Sequence, residues 1–187
     1  MQDIQSIKAK LREHLSAVHY EHSIRTAETA ARMARVSDVD EDKAYLAGLL
    51  HDYAKGMSGE DLIAEAEKMG IEINSVERAY PYLLHAEVGA ELVKKELGVN
   101  DEEIINSIAK HTVGSAAMTA LDKIIYVADM IEPGRPYQGL DMLRRMALEN
   151  LDKVYREAYM HSLSYLVKAR KLIHPTTIEV WNELVSR

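Results

Sequence analysis

His51 and Asp52 close the small-residue apolar run Ala44-Tyr45-Leu46-Ala47-Gly48-Leu49-Leu50, and Lys55 follows three positions later. An adjacent imidazole and carboxylate at the end of a buried helix need partners, because polar groups removed from water without them are costly. A divalent cation is one such partner, and imidazole plus carboxylate suits Fe, Mn, Zn or Co. An ordinary helix-end pair is the other reading, so the decision rests on ligands elsewhere. His22, in Val18-His19-Tyr20-Glu21-His22-Ser23-Ile24-Arg25, is placed at the start of a helix whose next turns carry Thr26, Thr29 and Ala30. That small-residue face can bring a second helix close, although a capping or surface histidine would look the same. Asp129 interrupts the apolar run Ile124-Ile125-Tyr126-Val127-Ala128, with Ile125 and Tyr126 one turn behind it, so its side chain points inward. A buried, unpaired carboxylate would neutralise. Arg135 or Lys55 could pair with it, or a cation could.

The elements that must position these groups have the helical period almost throughout. Ile4, Ile7, Leu11 and Leu15 stripe residues 3–15, and residues 21–36 are rich in the helix formers Ala, Arg and Met. Asp40 caps a helix expected to reach about Tyr53, and Ser58 with Asp61 starts another that stops at Gly70. Residues 71–82, with Pro81, read as irregular. His85 to Leu97 is amphipathic and ends at Gly98, and Asp101 caps a helix reaching about His111. A loop of small residues, 112–117, precedes a helix from Thr119 or Asp122 through Ile131, which Pro133-Gly134-Arg135-Pro136 breaks. Residues 141–147, 151–173 and 176–185 complete an all-α chain with no repeat and no linker.

With 187 residues, 47% of them hydrophobic and 28% charged, the chain reads as one globular domain, residues 1–187. There is no cysteine, which removes disulfides, thiolate sites and cysteine nucleophiles and fits a cytoplasmic protein. A net charge of −7 argues against a nucleic-acid polymer as partner but leaves room for a small phosphorylated ligand in a local cationic pocket. No apolar stretch spans a membrane, and Met1-Gln2-Asp3-Ile4 begins no signal peptide.

The order His22, His51-Asp52, Asp129, each on its own helix, resembles the HD-domain superfamily of metal-dependent phosphohydrolases over residues 19–135. That resemblance implies a helical bundle with a metal site between core helices, and makes His22, His51, Asp52 and Asp129 the metal ligands. The segments His51-Asp52-Tyr53-Ala54-Lys55, Leu84-His85-Ala86, Lys110-His111-Thr112 and Asp129-Met130-Ile131-Glu132-Pro133-Gly134-Arg135 are similar to the YqeK branch. The core then covers about 19–137, with the helices of 140–187 packed on it. The branch implies hydrolysis of bis(5′-nucleosyl) tetraphosphates, chiefly diadenosine tetraphosphate to two ADP, by a metal-activated water. Iron is the implied metal, with Mn, Co, Zn or Mg accommodated. Another HD nucleotide phosphohydrolase, or a non-catalytic nucleotide-binding module, is the alternative.

Attack on a polyphosphate needs charge neutralisation and positioning above all. Lys55, one turn past Asp52, can serve as a point charge for phosphate, or be a solvated helix-end lysine. Arg135, on a proline-stiffened turn, suits bidentate phosphate recognition, or pairs with Glu132 or Asp141. Tyr137 can stack on a base or bond a phosphate. His85 and His111 can bond phosphate, protonate a leaving ADP, or join Asp52 at a second metal. Thr112 stands where two-metal relatives have a second histidine, so one tight metal is favoured. Asp52, His85 and His111 are the expected catalytic groups; the nucleotide is assigned to these three with His22, Lys55, Asp129, Arg135 and Tyr137. Glu132 is expected to orient Arg135 or a water, and Asp122 to cap a helix. His14, His161 and His174 read as surface or packing residues. Tyr155, Tyr159, Leu163 and Leu166 suit either core packing or a homodimer contact.

Overall fold

The computed structural model describes residues 3–186, and among them it contains helices and turns but no strand. Met1, Gln2 and Arg187 lie outside the described residues, as does that part of the N-terminal reading. The helices are α1 (Ile4–His14), α2 (Ala17–Val36), α3 (Glu41–Leu50), α4 (Gly59–Met69), α5 (Ser75–Ala79), α6 (His85–Leu97), α7 (Glu102–Lys110), α8 (Ala120–Ile131), α9 (Leu140–Met146), α10 (Leu151–Lys168) and α11 (Pro175–Val185). A 3₁₀ turn, Pro81–Leu84, leads into α6.

Caps set several boundaries. Asp40 accepts from the backbone N–H groups of Asp42 and Lys43, Asp101 from those of Glu103 and Ile104, and Thr119 forms a reciprocal box with Asp122. Four boundaries differ from expectation. Ser16 caps α2 through the His19 N–H, so the helix starts at Ala17 and His22 lies in its second turn. α3 ends at Leu50, and single-turn bonds from Tyr53 N–H to Leu50 O and from Lys55 N–H to Asp52 O continue past it. Asn74 and Glu77 form a complete capping box that starts the short α5 inside the stretch read as irregular. α10 stops at Lys168, where Arg170 turns left-handed (φ 52°) and Lys171 N–H bonds back to Leu166 O. Pro175 disfavours helix at the residue before it, and His174 instead caps α11.

α2 and α3 pack through small side chains: Ala27, Ala30 and Ala34 are fully buried, as are Ala44 and Ala47. A β-carbon at Gly48 would lie 2.9 Å from Ala27 Cα, so only glycine permits this approach. α8, with Ile124, Ile125, Val127 and Ala128 all fully buried, packs against α2, α7 and α10. One cluster of buried apolar side chains extends from Ile7 in α1 to Val180 in α11. Tyr155 and Tyr159 turn inward and pack on Tyr126, with Tyr126 and Tyr159 stacked at 5.3 Å. Leu163 and Leu166 are only half-buried and lie outside that cluster.

Candidate metal centre

The tight α2–α3 contact, with α8 beside it, carries four ligand-type side chains to one point. His22 Nε2 lies 2.9 Å from Asp129 Oδ1, 3.2 Å from His51 Nε2 and 3.8 Å from Asp52 Oδ2. His51 Nε2 lies 3.5 Å from Asp52 Oδ2 and 3.7 Å from Asp129 Oδ1. Ligand atoms about 2.0–2.2 Å from one ion stand roughly 3–3.5 Å apart, and these separations, from 2.9 to 3.8 Å, bracket that spacing. His51 is wholly buried and His22 and Asp52 nearly so, while the Asp129 side chain is 24% exposed and marks the open face.

The tautomers show that the set fits a cation. His51 Nδ1 lies 2.7 Å from Gly48 O, and His22 Nδ1 lies 3.2 Å from Glu132 Oε1. A carbonyl and a carboxylate only accept, so both Nδ1 atoms donate and both Nε2 atoms present lone pairs. Two lone pairs facing each other at 3.2 Å require a proton or a cation between them. Burial works against a charge on His51, but Asp52 and Asp129 outweigh it and raise its pKa above the ordinary imidazole value. Burial would likewise raise the Asp129 carboxyl, yet the neighbouring His22 and His51 imidazoles and the charge of Arg135 hold it well below the usual range.

A second cluster adjoins the first through Asp52. His85, at the start of α6, donates from Nδ1 to Tyr82 O; His111, closing α7, donates from Nδ1 to Ile108 O at 2.7 Å. Their Nε2 atoms lie 3.1 Å apart, and 3.0 and 3.5 Å from Asp52 Oδ1. These are again lone pairs facing lone pairs, and Asp52 Oδ1 is buried with no hydrogen bond. Lys55 Nζ supplies charge at 3.0 Å from His85 Nε2 and 3.4 Å from Asp52 Oδ1. The Thr112 hydroxyl reaches both rings, at 3.3 and 3.1 Å. Burial and the neighbouring His51 and His85 outweigh the Asp52 carboxylate and push His111 down to about 4. Burial would raise the Asp52 carboxyl, but His51, the two rings of this cluster and Lys55 hold it well below the usual range. His51, Asp52 and His111 thus form a second triad able to hold an ion, beside His22, His51 and Asp129.

Arg135 turns onto Asp129. Its Nη2 pairs with Asp129 Oδ1, its Nε donates to Asp129 O at 3.0 Å, and Nη2 stands 3.3 Å from His22 Nε2. Of the partners weighed for it, Glu132 is at 4.0 Å, and Asp141 pairs with Arg144 instead. Tyr137 stands 55% exposed on the same loop, outside the cluster. Glu132, expected to serve Arg135 or a water, instead receives Nδ1–H of His22, the Arg25 guanidinium at 2.5 Å and the Gly134 N–H at 2.6 Å. Burial would raise its pKa, but Arg25, the Gly134 N–H and His22 keep it below the ordinary value. The only sequence signal for Arg25 is its place one turn beyond His22 on the same helix face. Asp122 caps α8 and pairs with Lys110 at 2.8 Å. His14 stacks on Tyr53, His174 caps α11 and bonds Glu77 at 3.2 Å, and His161 is exposed.

An all-α bundle in which histidines and aspartates from separate helices meet is the architecture of one known class. The HD domain family model matches residues 19–134, and the chain belongs to that family. It is 37% identical to the symmetrical bis(5′-nucleosyl)-tetraphosphatase of Bacillus subtilis (strain 168), over 96% of this chain and 94% of that one. It is 35% identical to the protein of the same name from Staphylococcus aureus (strain NCTC 8325 / PS 47), over 96% and 93%. A crystal structure from Clostridium acetobutylicum, described as a predicted HD superfamily hydrolase involved in NAD metabolism, superposes with a TM-score of 0.95 at 38% identity. That match covers 100% of this chain and 99% of the other.

Proposed function

We propose that this chain hydrolyses bis(5′-nucleosyl) tetraphosphates symmetrically, diadenosine tetraphosphate foremost, giving two ADP. The observation that carries the reading is the convergence of four imidazole Nε2 lone pairs on Asp52 and Asp129, in relatives of whose kind this activity is the name. His22, His51, Asp52 and Asp129 would hold a divalent cation, iron foremost by resemblance. Such an ion supplies a water of lowered pKa and neutralises phosphoryl charge.

The chain's own groups supply the rest. Lys55 keeps ammonium protons beyond its two contacts, and Arg135 keeps Nη1 uncommitted, so each can bind one half of the tetraphosphate. Asp52 Oδ1, 3.4 Å from Lys55 Nζ but in no hydrogen bond, accepts one from the attacking water and orients it. His111, held neutral at pH 7, takes the water's proton at Nε2 and passes it across 3.1 Å to His85 Nε2, which delivers it to the leaving diphosphate. The water oxygen bonds an inner phosphorus, the central bridging P–O bond breaks, and each half leaves as a nucleoside diphosphate. Tyr137 offers an exposed ring to a base. A second, weaker ion on His51, Asp52 and His111 is the alternative use of the same His111 Nε2. We read the chain as one domain with α9 to α11 packed on the core.

Chromatography of the products from diadenosine tetraphosphate and metal-loaded protein tests the reading. ADP alone is expected; AMP with ATP, or no turnover, overturns it.

A further inference from the structure

His22 differs from the other three histidines of the centre in how its ring is held. His51, His85 and His111 all sit at helix ends and donate Nδ1–H to a carbonyl three residues back: Gly48, Tyr82 and Ile108. His22 lies in the second turn of α2, where each carbonyl already accepts from the N–H four residues on. Its Nδ1–H needs an acceptor from outside the helix, and Glu132 Oε1, 110 positions later, provides it.

We propose that Glu132 is a positioning residue that fixes the tautomer and aim of His22 for a divalent cation, and that Arg25 and Gly134 lock Glu132 in place. Glu132 is 1% exposed and commits Oε1 to His22 and Oε2 to both Arg25 and the Gly134 N–H. The carboxylate cannot rotate without breaking three bonds on two elements. Gly134 is an independent sign of the same device. A β-carbon there would fall 2.5 Å from Arg25 Nη2 and 2.6 Å from its Cζ, so the absent side chain leaves the space that the Arg25 guanidinium fills. The lock also joins α2 to the loop that carries Arg135, so the ligand and the phosphate-facing arginine are set by one carboxylate.

Carboxylate partners of metal-bound histidines typically contribute about 10–100-fold to metal affinity. The test is Mn(II) affinity, by competition with a chromophoric chelator, for wild type, Glu132→Ala, His22→Ala and the double variant. Glu132→Ala should weaken Mn(II) by about 10–100-fold, and should weaken it no further once His22 is alanine. Gly134→Ala displaces only the end of a flexible side chain, so it should keep its melting temperature yet weaken Mn(II), and Arg25→Gln should weaken it likewise. If Glu132→Ala fails to fold, Gly134→Ala and Arg25→Gln carry the test alone. Additive losses in the double variant, or unchanged Mn(II) affinity in both Gly134→Ala and Arg25→Gln, overturn the proposal. The readout needs no substrate, so it stands apart from the proposed reaction.

Discussion

On the α6–α7 side of the centre, two rings are aimed by backbone carbonyls of their own helix ends; on the α2–α8 side, one ring is aimed by a distant carboxylate. The first arrangement is local, because each acceptor lies three residues back along the chain. The second needs α2, α8 and the 133–136 loop assembled together. The cations divide in the same way: Lys55 lies on the His85 ring, while Arg135 lies on Asp129 itself. The α2–α8 side is therefore sensitive to side-chain changes at a distance, and the α6–α7 side is not.

The comparison is sharpest at the two cations. Lys55→Ala should lower kcat by about 10²–10³-fold, the loss usual for one donor to developing charge. Arg135→Ala should raise KM and, by freeing Asp129 Oδ1 from its pair, tighten cation binding. Matching effects of the two substitutions on kcat, KM and metal affinity would remove the distinction. Next is the helix contact that brings His22 and His51 together. Gly48→Ala drives a β-carbon into the Ala27 backbone and should cost about 1–3 kcal/mol in denaturant unfolding. Wild-type stability would show that α2 and α3 can part without cost.

Smaller is the pH effect. His51 has its pKa raised, so its contribution to stability is fully present below its unfolded value of about 6.5 and is lost as pH rises through the folded value. A proton and a cation compete for the same Nε2, so added metal should stabilise the protein more at pH 8 than at pH 6. Thermal melts with chelator and with metal measure that difference, and a gap independent of pH would contradict it. The smallest change expected is Tyr137→Ala, which removes a half-exposed ring and should raise KM several-fold, on the order of 1 kcal/mol of stacking. An unaltered KM would place the base elsewhere.

Much of this was legible in the residues. Asp40, Ser58, Asp101 and Thr119 cap the helices assigned to them, and His51-Asp52 does end α3. The period-and-cap signals are local, so a single sequence carries them. The start of α2 was also local, in Ser16, but a rich run of helix formers from Glu21 drew the boundary inward. The end of α10 was hidden because Leu172 and Ile173 keep the apolar pattern beyond the reversal at Arg170. Glu132 could not be read at all as the partner of His22. A contact across 110 positions leaves no spacing to find, and its neighbours Pro133 and Arg135 pointed to the loop instead.

Asp52 joins the two halves, with Oδ2 facing His22 and His51 and Oδ1 facing His85 and His111. Titration of Mn(II) into wild type and Asp52→Ala is the most direct test of that role. The account predicts tight binding to wild type and loss of both metal binding and hydrolysis in Asp52→Ala. Hydrolysis that survived the loss of Asp52, with metal retained, would contradict it.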